Sequence, residues 1–501
     1  MNPFIYPRVL EPHEIVGRKK DLHYVLGRLA NRQSVAVIGL PNSGKTSLLL
    51  ALADAGTRHQ FDQERFANVL FSYANALDLH NVQTRANFWK VALRPLTEQF
   101  PAADNSQDSQ RVRELLSILT AQFDDREFRE LCLELGVNAN ELAGASMADK
   151  SLDLIQYLQR RLRLDELVMY ILQERPQNQL TADKSVRGMY ATAVANNFGT
   201  FVLEQLFNQL HAEGRRLALL LDDFDEFLNN TKLHTAEFYG GLRTLASRSP
   251  GFVVVIAARR EVESLNQLTQ AINPHGSPYF NVFTERRLGS LTKKAVNQLL
   301  ERAGERFDRT DHEFVMEISG QHPYLAQVAA SELWEVDEDG LENTARYREA
   351  VTQFYRHVNG WGTWVVMTPK ERIVLTAVGL LQVPIILTEP PASHDHLADN
   401  LADYTTELDR LQRRGLVKRQ KDDAWHITQI GFLWWLVDEK WGRVGDEASL
   451  NTWFQEEALD GVFNLGELAW IGRAAVAMRS VLPDNSQPLR AAFIKELVGK
   501  Q

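Results

Sequence analysis

The sequence predicts an α/β protein: helices flank a parallel sheet, an all-α bundle is inserted into it, and a helical segment and a helix–hairpin module follow. Short apolar, β-branched runs at residues 34–39, 69–73, 217–221 and 252–258 have the length and composition of buried parallel strands. A glycine-rich loop leads from the first run into a helical pattern. Between the second and third runs, apolar residues recur every three or four positions, which is typical of amphipathic helices.

Composition limits the class of protein before any motif is considered. The 501 residues carry 55 lysines and arginines against 65 aspartates and glutamates, and this charge of −10 argues against general affinity for nucleic acid or anionic lipid. The single cysteine, Cys132, excludes a disulfide framework and fits a reducing compartment. The amino terminus has no apolar signal segment, and no apolar run is long enough to span a membrane. We therefore expect a soluble, multidomain, cytoplasmic protein.

The loop after the first run reads G-L-P-N-S-G-K-T over residues 39–46. This is the phosphate-binding pattern G-x-x-x-x-G-K-[ST] in its required context of strand, loop and helix. Glycines let backbone N–H groups turn towards phosphates, Lys45 is expected to reach the β- and γ-phosphates, and the Thr46 hydroxyl is expected to ligate Mg²⁺. The residues expected to contact ATP or ADP here are Gly39, Pro41, Asn42, Ser43, Gly44, Lys45, Thr46 and Ser47.

Charged residues follow the third and fourth runs. Asp222 is the candidate second ligand of Mg²⁺, and Asp223 is the candidate for polarising the attacking water. Asp225 and Glu226 are interpreted as a solvated loop. Arg259 follows the fourth run, where it would face the ligand crevice as a γ-phosphate sensor, with a surface ion pair as the alternative. The predicted catalytic residues are Asp223, Lys45 and Arg259.

A helical insertion separates the phosphate loop from the acidic strand. Residues 105–178 contain four stretches with helical spacing of apolar residues, and glycines and a closing Arg175-Pro176 pair punctuate them. A further helix over residues 191–212 is expected to lead back into the sheet. These patterns predict a small helical bundle inserted between two strands.

Three segments resemble the STAND branch of P-loop ATPases, which is related to AAA+ proteins. They read I-V-G-R-K-K-D-L over residues 15–22, G-S-P-Y-F-N over 276–281 and G-Q-H-P-Y-L over 320–325, with Asp21 and Gln321 as departures from the family pattern. The resemblance covers roughly residues 10–440. It implies that Gly17 and Arg18 lie beside the bound nucleotide and that Pro323 lies near adenine. Pro323 also fits an ordinary first residue of a helix.

The insertion resembles the bacterial effector-associated, death-like domains. The matching segments read F-R-E-L-C-L-E-L-G-V over residues 128–137 and L-I-Q-Y-L-Q-R-R-L-R-L-D-E-L over 154–167. The resemblance implies that the insertion recruits an effector protein with a like domain through surfaces of opposite charge. The candidate surfaces are a basic corner (Arg160, Arg161 and Arg163) and an acidic corner (Asp124, Asp125, Glu127 and Glu130). Ordinary solvated helix faces are the alternative.

The chain after the sheet predicts a helical lid and then a winged helix. Residues 397–414, the presumed recognition helix, carry four acids against three bases, which disfavours DNA as a ligand. The resemblance implies instead that this module clamps a closed, ADP-bound state. His426 is a candidate contact to the β-phosphate, with a structural role as the alternative. The expected boundaries are 1–104 and 179–286 for the ATPase, 105–178 for the insertion, 287–360 for the lid, 361–441 for the winged helix and 442–501 for a helical tail.

These features predict an ATP-binding and slowly ATP-hydrolysing STAND switch that recruits or activates a separate effector through its death-like domain. The resemblance places such switches in bacterial anti-phage defence or programmed cell death. We expect ATP or ADP with Mg²⁺ as cofactors, and a homo-oligomer as the active form. One alternative is a DNA-binding AAA+-like ATPase of the origin-binding or transposition-regulator type. Another is a scaffold in which ATP is only structural.

Overall fold

A five-stranded parallel sheet organises the first part of the molecule. Its strands are β1 (Val35–Gly39), β2 (Val69–Asn75), β3 (Arg216–Asp222), β4 (Phe252–Ala258) and β5 (Thr284–Leu288). The computed structural model describes residues 8–81, 84–99, 105–161, 163–175, 185–338, 343–387, 401–421, 423–441 and 485–499, and a few isolated positions besides. The predicted α/β fold class is confirmed.

Helices cover both faces of this sheet. They are α1 (Lys19–Ala30), α2 (Lys45–Ala53), α3 (Ala55–Phe66), α4 (Arg85–Ala92) and α5 (Arg94–Gln99). Strands β1 and β4 are buried along their whole length, because parallel strands covered on both faces have no solvent-exposed side. Along β3, Leu219 and Leu221 face one hydrophobic core and Leu220 faces the other.

The strand order β2-β3-β4-β1-β5 places the functional loops. Strand β4 lies between β1, which ends at the phosphate loop, and β3, which ends at Asp222. After β1, the chain forms β2, β3 and β4 on one side of β1. The last strand, β5, then pairs with the other side of β1. Ligands of open α/β sheets bind at the carboxyl ends of strands near such a reversal. The topology therefore brings the three predicted catalytic segments to one crevice.

The inserted region is an all-α bundle with a hydrophobic core of its own, built around residues such as Leu131, Leu154 and Leu167. Its helices are α6 (Asn105–Gln122), α7 (Asp125–Glu134), α8 (Met147–Arg160) and α9 (Leu164–Glu174). Asp124 and Ser146 begin α7 and α8 with capping boxes, in which side chain and backbone satisfy each other's hydrogen bonds. Cys132 is buried in this core, and burial raises the pKa of its thiol to about 11.

The chain returns to the sheet through two helices, α10 (Val186–Ala195) and α11 (Thr200–Ala212). The prediction of one helix over residues 191–212 is therefore wrong. Asn197 and Phe198 have φ angles of 50° and 54°, which belong to the left-handed region and end a right-handed helix. Phe198 is fully buried, so packing of its ring accompanies this unfavourable backbone conformation. The ATPase part is completed by α12 (Ala236–Arg248) and α13 (Val262–Thr269).

The lid and the carboxyl-terminal module pack around one shared hydrophobic core, separate from the cores of the sheet and of the insertion. The lid contains α14 (Lys293–Leu300), α15 (Arg309–Ser319), α16 (Pro323–Glu338) and α17 (Asn343–Arg356). The carboxyl-terminal module contains α18 (Gly360–Trp364), α19 (Pro369–Leu387), α20 (Thr405–Arg413), a hairpin of β6 (Val417–Arg419) and β7 (Trp425–Ile427), and α21 (Ile430–Leu436). Part of the predicted recognition helix, at residues 397–400, lies outside the described residues. Among the helices that the structure describes, none is both long and apolar enough to cross a membrane.

Most of the predicted tail also lies outside the described residues. Its last helix, α22 (Gln487–Val498), packs into the core that the lid and the carboxyl-terminal module share. Asp438 accepts hydrogen bonds from the Ser486 backbone at 2.6 Å, from Arg490 at 2.8 Å and from the Tyr355 hydroxyl of the lid at 2.6 Å. The carboxyl-terminal helix therefore fastens the lid to the module.

Candidate nucleotide-binding site

The phosphate loop joins the end of β1 to the start of α2. Gly44 has a φ of 90° and Asn42 a φ of 59°, left-handed conformations that glycine and asparagine tolerate best. At Gly39, a Cβ would lie 2.3 Å from the Ser43 hydroxyl oxygen, so a side chain there would displace the loop. The first N–H groups of α2 have no carbonyl partner within the helix and point out of its amino end. The local geometry is that of an anion site at a helix amino terminus.

Cationic side chains bind the carbonyl groups of this loop. Lys45 Nζ donates to the carbonyl oxygens of Gly39 at 2.9 Å and Leu40 at 3.0 Å. Arg18, which the resemblance places beside the nucleotide, donates from Nη2 to the Ser43 carbonyl at 3.0 Å. Because these carbonyls are engaged, the loop can present its N–H groups to phosphate oxygens. Burial lowers the pKa of Lys45, and the nearby carboxylates at positions 225, 222 and 223 oppose this effect.

The candidate metal site lies at the ends of β2 and β3. Asp222 is completely buried and accepts hydrogen bonds from the Tyr73 hydroxyl at 3.0 Å and from the Asp223 N–H at 3.0 Å. Burial raises the pKa of Asp222, whereas the nearby Thr46 hydroxyl and these hydrogen bonds favour its carboxylate. Thr46 and Asp222, predicted together from the sequence, therefore lie close together. Hydroxyl and carboxylate oxygens are ligands that fit Mg²⁺.

Asp223 adopts a left-handed conformation directly after the strand, with a φ of 48°. Its carboxylate accepts a hydrogen bond from Asn75 Nδ2 at 3.1 Å, and Asn75 is the last residue of the neighbouring strand β2. Strained backbone of this kind is tolerated where surrounding contacts hold it and is concentrated at functional sites. Tyr73 and Asn75 were missed in the sequence, although Tyr73 ends the apolar run at residues 69–73 and Asn75 follows it closely.

Asp225 does not belong to a solvated loop, and that interpretation is wrong. Its side chain is 3% exposed and accepts hydrogen bonds from the backbone N–H groups of Arg259 at 2.6 Å and Arg260 at 3.1 Å. Two unpaired N–H groups at the end of β4 would be costly in the interior, so a buried carboxylate is favoured there. The Arg259 guanidinium forms an ion pair with Glu226. Its sensor role remains a prediction, which requires that pair to open.

The predicted nucleoside contacts surround the same crevice. Gly17 has a φ of 76°, and a Cβ there would lie 2.6 Å from the Ala295 Cβ of the lid. A cavity of about 400 Å³ next to α2 is lined by Ile15, Arg18, Leu48 and Phe61 among others. Apolar walls with a few polar groups suit a nucleobase. Ser47 is engaged elsewhere, since its hydroxyl accepts the Leu10 N–H at 3.3 Å.

Pro323 is the first residue of α16, as its alternative interpretation requires. Gln321, which replaces a glycine of the family pattern, has a φ of 61°, the conformation for which glycine is favoured. His322, between them, is 7% exposed and was not singled out in the sequence, although it belongs to the same segment. Burial lowers the pKa of its imidazole to about 3, and the positive charges of Arg18 and Lys45 add to this effect. Leu40 of the phosphate loop packs in the core of the lid, so the lid contacts the loop directly.

Ion pairs join the carboxyl-terminal module to the ATPase sheet. The Arg414 guanidinium lies 3.7 Å from the Glu261 carboxylate, next to the end of β4, and 3.2 Å from Glu371 of its own module. Arg410 of α20 reaches Glu263 of α13 at 2.7 Å. His426 lies on β7, paired with Lys418 of β6. Helix α20 thus faces the ATPase part with its basic residues.

The predicted partner surfaces of the insertion are partly engaged within the domain. Arg163 donates to Glu166 at 2.7 Å and to the Leu135 carbonyl at 2.8 Å. Asp124 and Glu127 form the capping box of α7, and Arg175 pairs with Glu127. The corner residues that the structure leaves exposed are Arg160, Arg161, Asp124, Asp125 and Glu130.

Solved structures and family models of known proteins show similarity to this chain. The solved structures with similarity include the Walker-type ATPase PABY2304 of Pyrococcus abyssi, with 13% identity, a TM-score of 0.41 and coverage of 86% of this chain and 99% of that chain. They also include the Aeropyrum pernix ORC2 protein in ADPNP–ADP complexes, with 13% identity, a TM-score of 0.45 and coverage of 95% and 99%. No curated protein sequence matches the chain.

The matches to family models cover the insertion and the part of the chain that follows it. Residues 112–176 match effector-associated domain 7, and residues 158–359 match novel STAND NTPase 2. The second range contains β3, β4, β5 and the four helices of the lid, whereas the phosphate loop precedes it and joins it through the pairing of β1 with β4. Over these residues the chain is similar to STAND NTPases and to effector-associated domains.

Proposed function

We propose that this protein is a slow ATPase switch whose nucleotide state controls the position of the carboxyl-terminal module and, through the effector-associated domain, the recruitment of a separate effector. The observation that carries the proposal is the meeting of the phosphate loop, Asp222 and Asp223 at one crevice that the lid contacts.

In this proposal, Lys45 releases the carbonyl groups of its own loop and pairs with the β- and γ-phosphates. Thr46 and Asp222 hold Mg²⁺, which neutralises phosphate charge when bound. Asp223, oriented by Asn75, positions and polarises the attacking water. Arg259 is the proposed sensor: a γ-phosphate would compete with Glu226 for its guanidinium.

The ion pairs at Glu261 and Glu263 support a clamp role for the carboxyl-terminal module. They hold α20 against the ATPase part, next to β4, the strand that Arg259 directly follows. Release of these pairs would free the module to move and the protein to form an oligomer.

The DNA-binding alternative is disfavoured by the same contacts. Arg410, Arg413 and Arg414 of the presumed recognition helix are paired with Glu263, Asp409 and Glu371. DNA affinity depends largely on free cations that neutralise phosphates. A module whose arginines face acidic residues of its own chain is a better clamp than a DNA reader.

The effector-associated domain suggests the output of the switch. It has its own core and exposes Arg160 and Arg161 at the end of α8, which fits an acidic surface on a like domain of the effector. We place this output in bacterial anti-phage defence or programmed cell death, in the cytoplasm.

Two substitutions test the switch. Lys45→Ala is expected to abolish ATP binding, measured by fluorescence titration, whereas Lys20→Ala, in the exposed first turn of α1, should bind normally. Asp223→Asn is expected to retain binding and to lose phosphate release. Unchanged ATP binding by Lys45→Ala would refute the site. Equal, unmeasurable turnover in the wild type and Asp223→Asn would favour the scaffold alternative.

A further inference from the structure

The guanidinium of Arg18 joins two parts of the molecule that are distant along the chain. Its Nη2 donates to the Ser43 carbonyl of the phosphate loop at 3.0 Å and to the Gly289 carbonyl at 2.7 Å. Gly289 begins the junction segment, residues 289–292, which connects β5 to the first lid helix, α14. Because this nitrogen carries two hydrogens, one for each carbonyl, the loop and the junction segment are bound to a single group.

The Arg18 guanidinium is held in this position from a second side. The side chain is buried, and its Nη1 lies 3.5 Å from the Asp21 carboxylate. The same carboxylate accepts a hydrogen bond from Arg286 Nε of β5 at 2.7 Å. A planar guanidinium with partners on two of its nitrogens cannot rotate without losing contacts. Its orientation is therefore fixed by the sheet as well as by the loop.

The contact between Arg18 and Ser43 sets the direction of the next N–H group. In a trans peptide the C=O and N–H bonds point in opposite directions, so a Ser43 carbonyl that faces Arg18 turns the Gly44 N–H away from Arg18, at the amino end of α2. Gly44 has a φ of 90°, and glycine adopts φ angles of either sign at low cost, so this peptide can turn over when the carbonyl is released. Arg18 thus keeps the loop in the form that offers this N–H to a phosphate oxygen.

The junction segment also contacts the carboxyl-terminal module. A Cβ at Gly289 would lie 3.5 Å from the carbonyl oxygen of Arg413, the last residue of α20. A Cβ at Gly415, just after that helix, would lie 2.7 Å from the Ser290 Oγ. At this distance the backbones leave no space for an extra methyl group. A shift of the junction segment therefore meets the end of α20 directly.

We propose that Arg18 is a positioning residue for nucleotide binding: it fixes the Ser43–Gly44 peptide in its phosphate-binding orientation and passes a change of the loop to the junction segment and α20. The inference rests on the proposed nucleotide binding at this loop and deepens it. A direct contact between Arg18 and the nucleotide would affect affinity alone. The positioning role also determines whether the junction segment responds once nucleotide is bound.

The variants separate the two carbonyl contacts from the surrounding packing. Arg18→Met keeps much of the length of the side chain and removes every donor, while Asp21 stays paired with Arg286. The matched control is Arg216→Met. Arg216 is a partly buried arginine that donates to the Leu29 carbonyl at 2.7 Å, but it is the first residue of β3, at the end of the strand away from the crevice. Arg18→Lys keeps the charge beside Asp21 and lacks the planar fork that serves several acceptors.

The measurements are ADP affinity by calorimetry and hydrogen exchange of the full chain with and without Mg²⁺ and ADP. In the wild type and Arg216→Met, ADP is expected to protect the amides of residues 289–292 and 414–416. Arg18→Met is expected to bind ADP about tenfold more weakly and to lack this protection at saturating ADP. Arg18→Lys should lie between the wild type and Arg18→Met in both measurements.

Full protection in Arg18→Met at saturating ADP would overturn the inference while leaving the proposed function intact, and so would ADP binding without protection in the wild type. Absence of ADP binding in the wild type would overturn both. If Arg18→Met does not fold, Arg18→Lys decides the question. Wild-type affinity and protection in Arg18→Lys would then refute the role of the forked contact.

Discussion

The buried ion pair between Arg414 and Glu261 should control how fast bound ADP leaves the protein. Both side chains are less than 10% exposed, and Glu371, which is completely buried, holds Arg414 from within its own module. Glu261→Gln keeps the shape of the side chain and removes its charge. The change removes the charge that Arg414 meets across the modules, together with the 3.6 Å ion pair between Glu261 and Arg287 of β5, and it leaves the Arg414–Glu371 pair in place.

The distance between the Arg414 and Glu261 charges determines how strongly the two side chains attract each other. Unit charges 3.7 Å apart attract by about 4.5 kcal/mol at an effective dielectric constant near 20. Desolvation of two buried charges offsets much of this attraction, which leaves a net contribution of about 1–2 kcal/mol to closure. If the module must open before ADP leaves, Glu261→Gln should accelerate ADP release roughly 5- to 30-fold.

The assay is the release of a fluorescent ADP analogue in a stopped-flow chase. The matched control is Glu263→Gln, which removes the Arg410 partner across the same interface, where the side chains are 28% and 62% exposed. Exposed pairs contribute little, so this variant should change the rate by about twofold at most. Wild-type release from Glu261→Gln, or a larger effect from Glu263→Gln, would refute the clamp argument.

Two further predictions concern the metal site and the packing of the lid. Tyr73→Phe removes a hydrogen bond to the Asp222 carboxylate, and burial already raises the pKa of this group. The pH below which Mg²⁺–ATP binding is lost should therefore rise by about one unit. Calorimetry at a series of pH values measures this, and an unchanged loss of binding at low pH would contradict the prediction. Gly320→Ala would place a Cβ 2.5 Å from the Thr428 carbonyl oxygen, at a φ of 57°, whereas Gly214→Ala, at the end of α11, meets open space at a φ of 73°. Thermal unfolding should therefore show a loss of about 3 kcal/mol for Gly320→Ala and about 1 kcal/mol for Gly214→Ala, and equal losses would show that the contact with Thr428 does not matter.

Local sequence patterns were sufficient to predict much of the fold, the phosphate loop and the candidate metal ligands. The loop over residues 39–46 is a contiguous pattern, and strands buried on both faces have a distinct composition, so the α/β class, the Thr46–Asp222 pair and the helical insertion could be predicted from the sequence. The break at Asn197 and Phe198 could not, because asparagine tolerates a left-handed conformation without requiring it, and phenylalanine disfavours that conformation.

The sequence by itself determined which chemistry this protein carries: a phosphate loop, an acidic strand end and an effector-associated insertion. Only the tertiary structure decided which charged groups are paired. Asp225 binds the backbone at Arg259, Arg414 lies against Glu261, and Arg18 reaches the Ser43 carbonyl. Each of these contacts joins residues that are distant along the chain. Burial and distance set the strength of each contact, and neither quantity is a property of a local sequence pattern.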